Sequence, residues 1–450
     1  MPLLLPESGP TRDTARGAAP FVARGVADYT CPMMVTPRDP ATLPAPAELL
    51  APIPDLDPAV APFGVYLHVP FCVHKCRYCD FVTYAGREAL IPAYVEALIG
   101  EIERAPQRWG GALPLVSSVF WGGGTPSLLP SEAFARVHAA IGRAFGWRGG
   151  DPAGVEITVE ANPETVDRAY WAGLREAGVN RVSLGVQSFQ PEGLRALDRD
   201  HDAPTAIRAL EAARVAGIGQ VSLDLIFGWA GQTLPDWEAD LAQAVALGPQ
   251  HLSLYALTIE EGTALAADIA RGRVRAPDDD RQADFYEAAI AALGVAGYEG
   301  YEISNWAFAP PGTPPGANRS RHNSLYWRNG EYLGFGVGAH SHFRGERFGN
   351  GRLVRRYIDA IRDGAHAPAF SESIDAATAM AETLMLGLRL REGVSRAAFL
   401  ARHGRALDAV YAAQLAALAP LGVLDDEVDA LRLTARGRLL ANEVLVRFLP

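Results

Sequence analysis

Cysteine is scarce in this chain. There are four in 450 residues, too few for a disulfide framework, and none reads as half of a bridged pair. Lysine is nearly absent. Of 41 basic residues only Lys75 is a lysine, and every other one is arginine. No excess of positive charge exists, since the formal net charge is −11, which excludes the electrostatic footprint of a nucleic-acid binder. No apolar run reaches the length of a membrane span. The opening Met1-Pro-Leu-Leu-Leu-Pro6 lacks a basic n-region, and its apolar stretch is too short for a signal peptide. Unpaired thiols suit a reducing cytoplasm. What remains is the composition of an ordinary soluble protein, 49% hydrophobic and 21% charged. Its length allows two domains, or a barrel with appendages.

Three of the four cysteines are Cys72, Cys76 and Cys79, spaced Cys-x3-Cys-x2-Cys. Three thiolates on one loop can hold three irons of a [4Fe–4S] cluster, leaving the fourth iron open to a ligand. Zinc sites favour two closely spaced pairs of ligands, and a second pair is missing. Cys31 stands apart as a spare thiol or a fourth ligand. Lys75 lies inside the loop, where a compact ammonium serves the site or occurs by chance.

Residues 1–60 are rich in proline and alanine without helical or strand period, and read as a disordered leader. Met33 and Met34 within it are alternative starts. From Phe63 strands and helices alternate, which predicts a parallel α/β sheet. Expected strands are 65–69, 117–121, 155–160, 181–185, 221–227 and 251–257. Helices are expected at 92–104, 131–145, 167–177, 204–216 and 234–247. Six such units over 61–297 fit a partial (β/α)6 TIM-like barrel, whose chemistry gathers at the C-terminal strand ends. Residues 298–373 are rich in Tyr, Trp and Gly, with a flexible insertion at Pro310–Gly316. Residues 374–450 predict a small helical, winged-helix-like α+β end domain.

The segment Tyr66-Leu-His-Val-Pro-Phe-Cys72-Val-His-Lys-Cys76-Arg-Tyr78-Cys79-Asp-Phe81 resembles the radical S-adenosylmethionine (SAM) superfamily. The resemblance implies a cluster on Cys72, Cys76 and Cys79 whose open iron chelates SAM. Trp121-Gly-Gly123-Gly124-Thr125-Pro-Ser follows the second expected strand, where glycines let backbone approach a ligand. It is similar to the segment that holds the SAM amino group. The ordered set Glu160, Gln187, Arg199 and Asp224 is spaced like the superfamily's SAM-contacting residues. Tyr66 and Tyr78 are expected as pocket walls. One departure is local: Gly228-Trp-Ala-Gly-Gln-Thr233 stands where Gly-Leu-Pro is usual.

Within the superfamily the text looks most like the branch of oxygen-independent coproporphyrinogen III oxidases and HemW-type haem chaperones. Oxidase motifs carry a further cysteine two residues after the third ligand. That position here is Phe81, as in the HemW type. His322-Asn-Ser-Leu-Tyr326-Trp327 is similar to the HemW motif associated with haem. Its imidazole suits haem iron, and its aromatics suit the macrocycle. His340 and His342 are alternative ligands. The resemblance, spanning about residue 63 to the end, implies a cytoplasmic haem chaperone. Such a protein holds one [4Fe–4S] cluster, SAM and haem, and delivers haem to acceptor haemoproteins, membrane-associated or not. It has no membrane span and no nucleic-acid partner, and homodimerisation is open. The runner-up is an oxidase that decarboxylates coproporphyrinogen III, and a weaker third reading is an enzyme acting on another tetrapyrrole. Enzymatic turnover is therefore an open question at this level.

Overall fold

The computed structural model describes residues 62–365 and 368–450. The expected leader, with Cys31, Met33 and Met34, lies outside the described residues.

Six parallel strands form the centre: β1 Phe63–Val69, β2 Ser118–Gly123, β3 Glu156–Ala161, β4 Arg181–Gln187, β5 Gln220–Phe227 and β6 His251–Ala256. Between them run α1 Ile91–Arg108, α2 Ser131–Ala144, α3 Arg168–Glu176, α4 Ala203–Val215 and α5 Leu234–Leu247. Expected and observed boundaries differ by a few residues at element ends. Each strand is buried along nearly its whole length, as a sheet covered on both faces requires. The outward residues are apolar and meet the helices. Trp121, Trp171 and Trp237 are fully buried there. Each indole N–H finds an acceptor: His138 Nε2 at 3.0 Å, the Ala209 carbonyl at 3.1 Å and the Phe285 carbonyl at 2.8 Å. Helix α5 starts at a capping box made by Thr233 and Asp236.

The inward residues are polar, which the strands' apolar character obscures. Register places Glu160 beside Ser183, Ser183 beside Ser222, and Ser222 beside His251. Gly185 pairs with Asp224, and Asp224 with Ser253. The interior is therefore a belt of hydrogen-bonding groups.

After α6 Asp279–Val295, the Tyr- and Trp-rich region extends the same sheet at both ends. On one side β8 Asn305–Phe308 pairs antiparallel with β6, and β7 Tyr298–Gly300 pairs antiparallel with β8 at the edge. On the other, β9 Glu331–Phe335 pairs parallel with β1. It is followed by β10 His340–Phe343, β11 Glu346–Gly349 and β12 Phe370–Ser373. Residues of this region share the barrel's hydrophobic core, among them Tyr298, Trp306, Phe335 and Phe343. Between β8 and β9 lies the short helix α7 Arg321–Trp327; α8 Val354–Arg362 packs on α1.

The end domain has its own core, built on Leu384, Phe399, Tyr411, Leu431 and Phe448. Its order is α9 Ala376–Gly387, β13 Val394–Ser395, α10 Arg396–His403, α11 Leu407–Leu418, β14 Leu424–Asp426 and β15 Ala430–Leu433. The three strands make one small sheet with β15 central, a winged-helix-like arrangement. Among the described residues no helix is long and apolar enough to cross a membrane.

Candidate functional site

Pro70 ends β1, and the chain then turns back over the C-terminal end of the sheet. A two-residue parallel pairing, Phe71–Cys72 with Tyr84–Ala85, closes the loop that carries the three cysteines. All three thiols are free. Cys72 is buried, and its sulfur accepts from the Thr125 hydroxyl at 3.5 Å. The Cys79 amide donates to the Cys76 carbonyl at 3.1 Å, which folds the loop tightly. Burial pushes the Cys72 thiol up and the Cys79 thiol to about 11. In the protein alone these groups stay protonated; iron ligation would deprotonate them. Among the described residues no three His, Cys, Asp or Glu side chains gather as they would round a single ion.

The three glycines lie beneath this loop. The Gly124 and Thr125 amides donate to the Val69 and Phe71 carbonyls, each at 2.7 Å, and Gly123 donates to Glu160 Oε2 at 3.2 Å. These amides thus hold the protein's own chain instead of facing a ligand. A Cβ on Gly124 would stand 2.6 Å from the Phe71 carbonyl and 3.1 Å from the Cys72 sulfur. Glycine here sets how closely the second βα turn approaches the cluster loop. Gly123, at φ +109°, lies against the His68 ring.

Glu160 ends β3 inside the pocket. Burial, then the nearby Asp224 carboxylate, push it up to about 8. Asp224 is also raised by burial, though Ser183 donates to both its oxygens at 2.8 and 2.9 Å and Ser222 to one at 3.3 Å. Two buried carboxylates, both raised above their ordinary values, match a cationic ligand, whose charge favours their ionised forms. Tyr66 neighbours Glu160, and burial followed by that carboxylate raises its phenol well above the ordinary value. Its hydroxyl pairs with His68 Nδ1 at 2.9 Å, while His68 Nε2 meets the Val82 carbonyl at 2.9 Å. Burial lowers His68 to about 4, so the ring is neutral. The carbonyl can only accept, so Nε2 carries the proton and Tyr66 donates to Nδ1.

Gln187, Arg199 and Tyr78 form the other wall. Gln187 sits at a bulge in β4 with φ +66°, a left-handed conformation that costs a non-glycine residue about 1–3 kcal/mol. The Arg199 guanidinium donates to Asn162 Oδ1 at 2.8 Å, the Gly185 carbonyl at 3.0 Å and the Cys76 sulfur at 3.5 Å. Tyr78 lies beside it and packs on Trp229, Leu197 and Leu257. Gln187 Oε1 and Arg199 Nε are buried without a protein partner. Orphaned polar atoms beside a trio of thiols fit a polar cofactor such as SAM. The unusual Trp229 fills an apolar corner behind Tyr78 and leaves the polar set intact.

His322 lies at the opposite end. Helix α7 covers the N-terminal mouth of the barrel. Its first amides, Arg321 and His322, donate to the Glu156 carboxylate at the start of β3, both at 2.9 Å. His322 is 0% exposed. Its Nδ1 meets Ser118 Oγ at 2.9 Å and its Nε2 meets the Tyr326 hydroxyl at 2.8 Å. Burial lowers the imidazole to about 3, so it is neutral. The Phe120 ring stacks on it at 5.4 Å. Trp327 stacks under the Arg389 guanidinium, 4.3 Å away, and so ties α7 to the end domain. His340 is exposed on β10, and His342 is half-buried with Nδ1 3.1 Å from the Gly330 carbonyl.

Sequence reading overlooked His68, Asn162, Ser183, Ser222 and His251 as functional positions. A usable signal existed: polar residues at alternate positions of otherwise apolar strands, as in Ser222-Leu-Asp224.

Residues 66–244 match the Radical SAM superfamily, and residues 374–440 match the HemN C-terminal domain. Heme chaperone HemW of Bacillus subtilis is 35% identical over 388 residues, spanning 86% of this chain and 99% of that protein. Heme chaperone HemW of Mycobacterium tuberculosis is 39% identical over 406 residues, 89% of this chain and 97% of that protein. That of Escherichia coli is 36% identical over 402 residues, 86% and 98%. Among solved structures, the coproporphyrinogen III oxidase HemN of Escherichia coli, a radical SAM enzyme, has a TM-score of 0.73. Its identity is 23%, over 87% of this chain and 90% of that one, a likeness of fold. By sequence along most of its length, by its barrel and by its end domain, the chain belongs to the HemW family of the radical SAM superfamily.

Proposed function

We propose that this protein is a haem chaperone: it binds haem, one [4Fe–4S] cluster and SAM, and passes haem to acceptor haemoproteins. The carrying observation is family membership across nearly the whole chain together with Phe81, where the oxidase motif has a cysteine. Cys72, Cys76 and Cys79 would hold the cluster. Glu160, Asp224, Gln187, Arg199, Tyr66 and Tyr78 would line the SAM pocket, with Gly123, Gly124 and Thr125 fixing the turn beneath it. A reduced cluster held there would supply the electron for cleavage of the SAM sulfonium. The chain's own part is to bury the ligand's cationic head against two carboxylates, to steady the Cys76 sulfur with Arg199, and to exclude water. We assign His322 as the haem ligand on its motif. In the conformation described both its ring nitrogens are engaged, so ligation through it requires release of one of its bonds, to Ser118 or to Tyr326. Exposed His340 and half-buried His342 are the alternatives. The cysteine usage suits the cytoplasm, and acceptors or a second copy would dock from there.

A haem titration followed by visible absorption, under anaerobic conditions on reconstituted protein, tests this reading. The expected result is a saturable Soret shift near one haem per chain, lost in His322→Ala when circular dichroism shows that variant folded. No specific shift in the wild type overturns the reading; a shift kept in the variant moves the ligand to His340 or His342. The second reading, coproporphyrinogen III oxidation, is favoured by the intact polar set and the HemN-like barrel. It fails if cluster-loaded protein with SAM and reductant converts no coproporphyrinogen III to protoporphyrinogen IX.

A further inference from the structure

One buried route joins the two ends of the barrel. It starts at Asp224, in the pocket at the C-terminal strand ends. Ser222 Oγ is 3.3 Å from Asp224 Oδ1 and 2.8 Å from His251 Nδ1. His251 Nε2 is 2.9 Å from the Tyr301 hydroxyl. The Ser320 amide donates to that hydroxyl oxygen at 3.3 Å. Ser320 is the N-cap of α7, the helix that carries His322, and its own hydroxyl accepts from the Asn323 amide at 3.2 Å. Ser222, His251, Tyr301 and Ser320 are each no more than 2% exposed, so water has no access to shortcut the chain.

The polarity of this chain follows from its ends. The Ser320 amide can only donate, so the Tyr301 oxygen accepts and its proton is free for His251 Nε2. Burial drives His251 well below its ordinary value, and the ring is neutral. With Nε2 accepting, Nδ1 carries the proton and donates to Ser222, whose hydroxyl then donates to Asp224. Every donor in this arrangement aims at the carboxylate, which favours its ionised form. Asp224 protonated on Oδ2 still accepts from Ser222 on Oδ1, so the order of the route is kept, and ionisation of the carboxylate strengthens that bond. The helix cap and the pocket carboxylate are therefore joined by one continuous hydrogen-bonded path through Ser222, His251 and Tyr301.

We propose that His251 and Tyr301 are positioning residues that couple a ligand seated on Asp224 to helix α7, so that SAM binding tightens the segment carrying His322. The inference rests on Asp224 belonging to the SAM pocket, and it does not depend on haem.

The test is amide hydrogen exchange across 320–327 on cluster-loaded protein, with and without SAM, in the wild type and in Tyr301→Phe. Phenylalanine keeps the buried ring and removes only the hydroxyl. The wild type should exchange at least about fivefold more slowly across this segment when SAM is bound, the low end of ordinary coupling. Tyr301→Phe should lose that SAM-dependent difference, and by reciprocity should bind SAM more weakly by a similar factor. A merely structural tyrosine would change baseline exchange and leave the response to SAM intact, which overturns the proposal. Wild-type exchange that ignores bound SAM overturns it too, whether or not the variant folds. A protein that binds no haem yet shows SAM-dependent protection refutes the chaperone reading and leaves this coupling standing.

Discussion

Glu160 is the residue whose chemistry is most exposed to test. It is held near 8 by burial and by Asp224, so below that pH the free protein carries it protonated. A cationic ligand favours the ionised form, and binding below pH 8 bears the cost of removing the proton. SAM affinity of reconstituted protein should therefore rise between about pH 6.5 and 8.5, by at most about tenfold per unit. Glu160→Gln removes that component and leaves the ligand's own titration, so calorimetry on both variants isolates it. The same substitution should weaken SAM binding by roughly 10–100-fold, the range of about 1.5–3 kcal/mol for a hydrogen bond to a charged group. A flat difference between the two pH profiles would refute the assignment. His322 makes a second prediction. Its ring is buried with both nitrogens bonded, so His322→Ala should destabilise the fold by about 2–4 kcal/mol through a cavity and unpaired Ser118 and Tyr326 hydroxyls. Denaturant unfolding without haem measures this. Its chemical suitability for iron was plain in the sequence. Its position was not, because nothing local in His322-Asn-Ser-Leu-Tyr326-Trp327 says which barrel mouth it faces.

At the scale of elements, the second βα turn and the cysteine loop act as one unit. Two amide bonds from Gly124 and Thr125 tie them together, and Gly124 has no room for a side chain. Gly124→Ala should cost about 1–3 kcal/mol of overpacking and displace Cys72. Iron analysis and the cluster's visible band after reconstitution should show reduced loading, whereas Gly294→Ala, in open space on α6, should load normally. The strands of the barrel were legible as short, mostly apolar runs, and the helices as the longer amphipathic segments between them. The inward polar belt was partly legible: Asp224 stood out in an apolar strand, while Ser183 and Ser222 did not. The pair His251 and Tyr301, 50 residues apart, was beyond reach, since only the tertiary fold brings them together. Strand β9 pairing beside β1 is equally non-local, and so the Tyr- and Trp-rich region could not be recognised as an extension of the sheet at both ends.

For the whole molecule, the barrel and the end domain are linked through α7. Arg389 stacks on Trp327 and so joins the end domain to the helix over the barrel mouth. Arg389→Ala should lower the melting temperature and raise exchange in α7, while cluster loading stays at the wild-type level. Unchanged exchange would show that the contact does not hold the helix. The family and the fold class were visible in the sequence because short spacings carry them. The cargo and its recipient are carried by no short spacing, and they set the decisive experiment. Protein loaded with one haem should be mixed with a haem-free b-type haemoprotein under anaerobic conditions, and the Soret band followed in time. The account predicts that haem leaves the protein and appears in the acceptor one for one, faster than from an equal amount bound to serum albumin. Haem that stays on the protein, or moves no faster than from albumin, would contradict it.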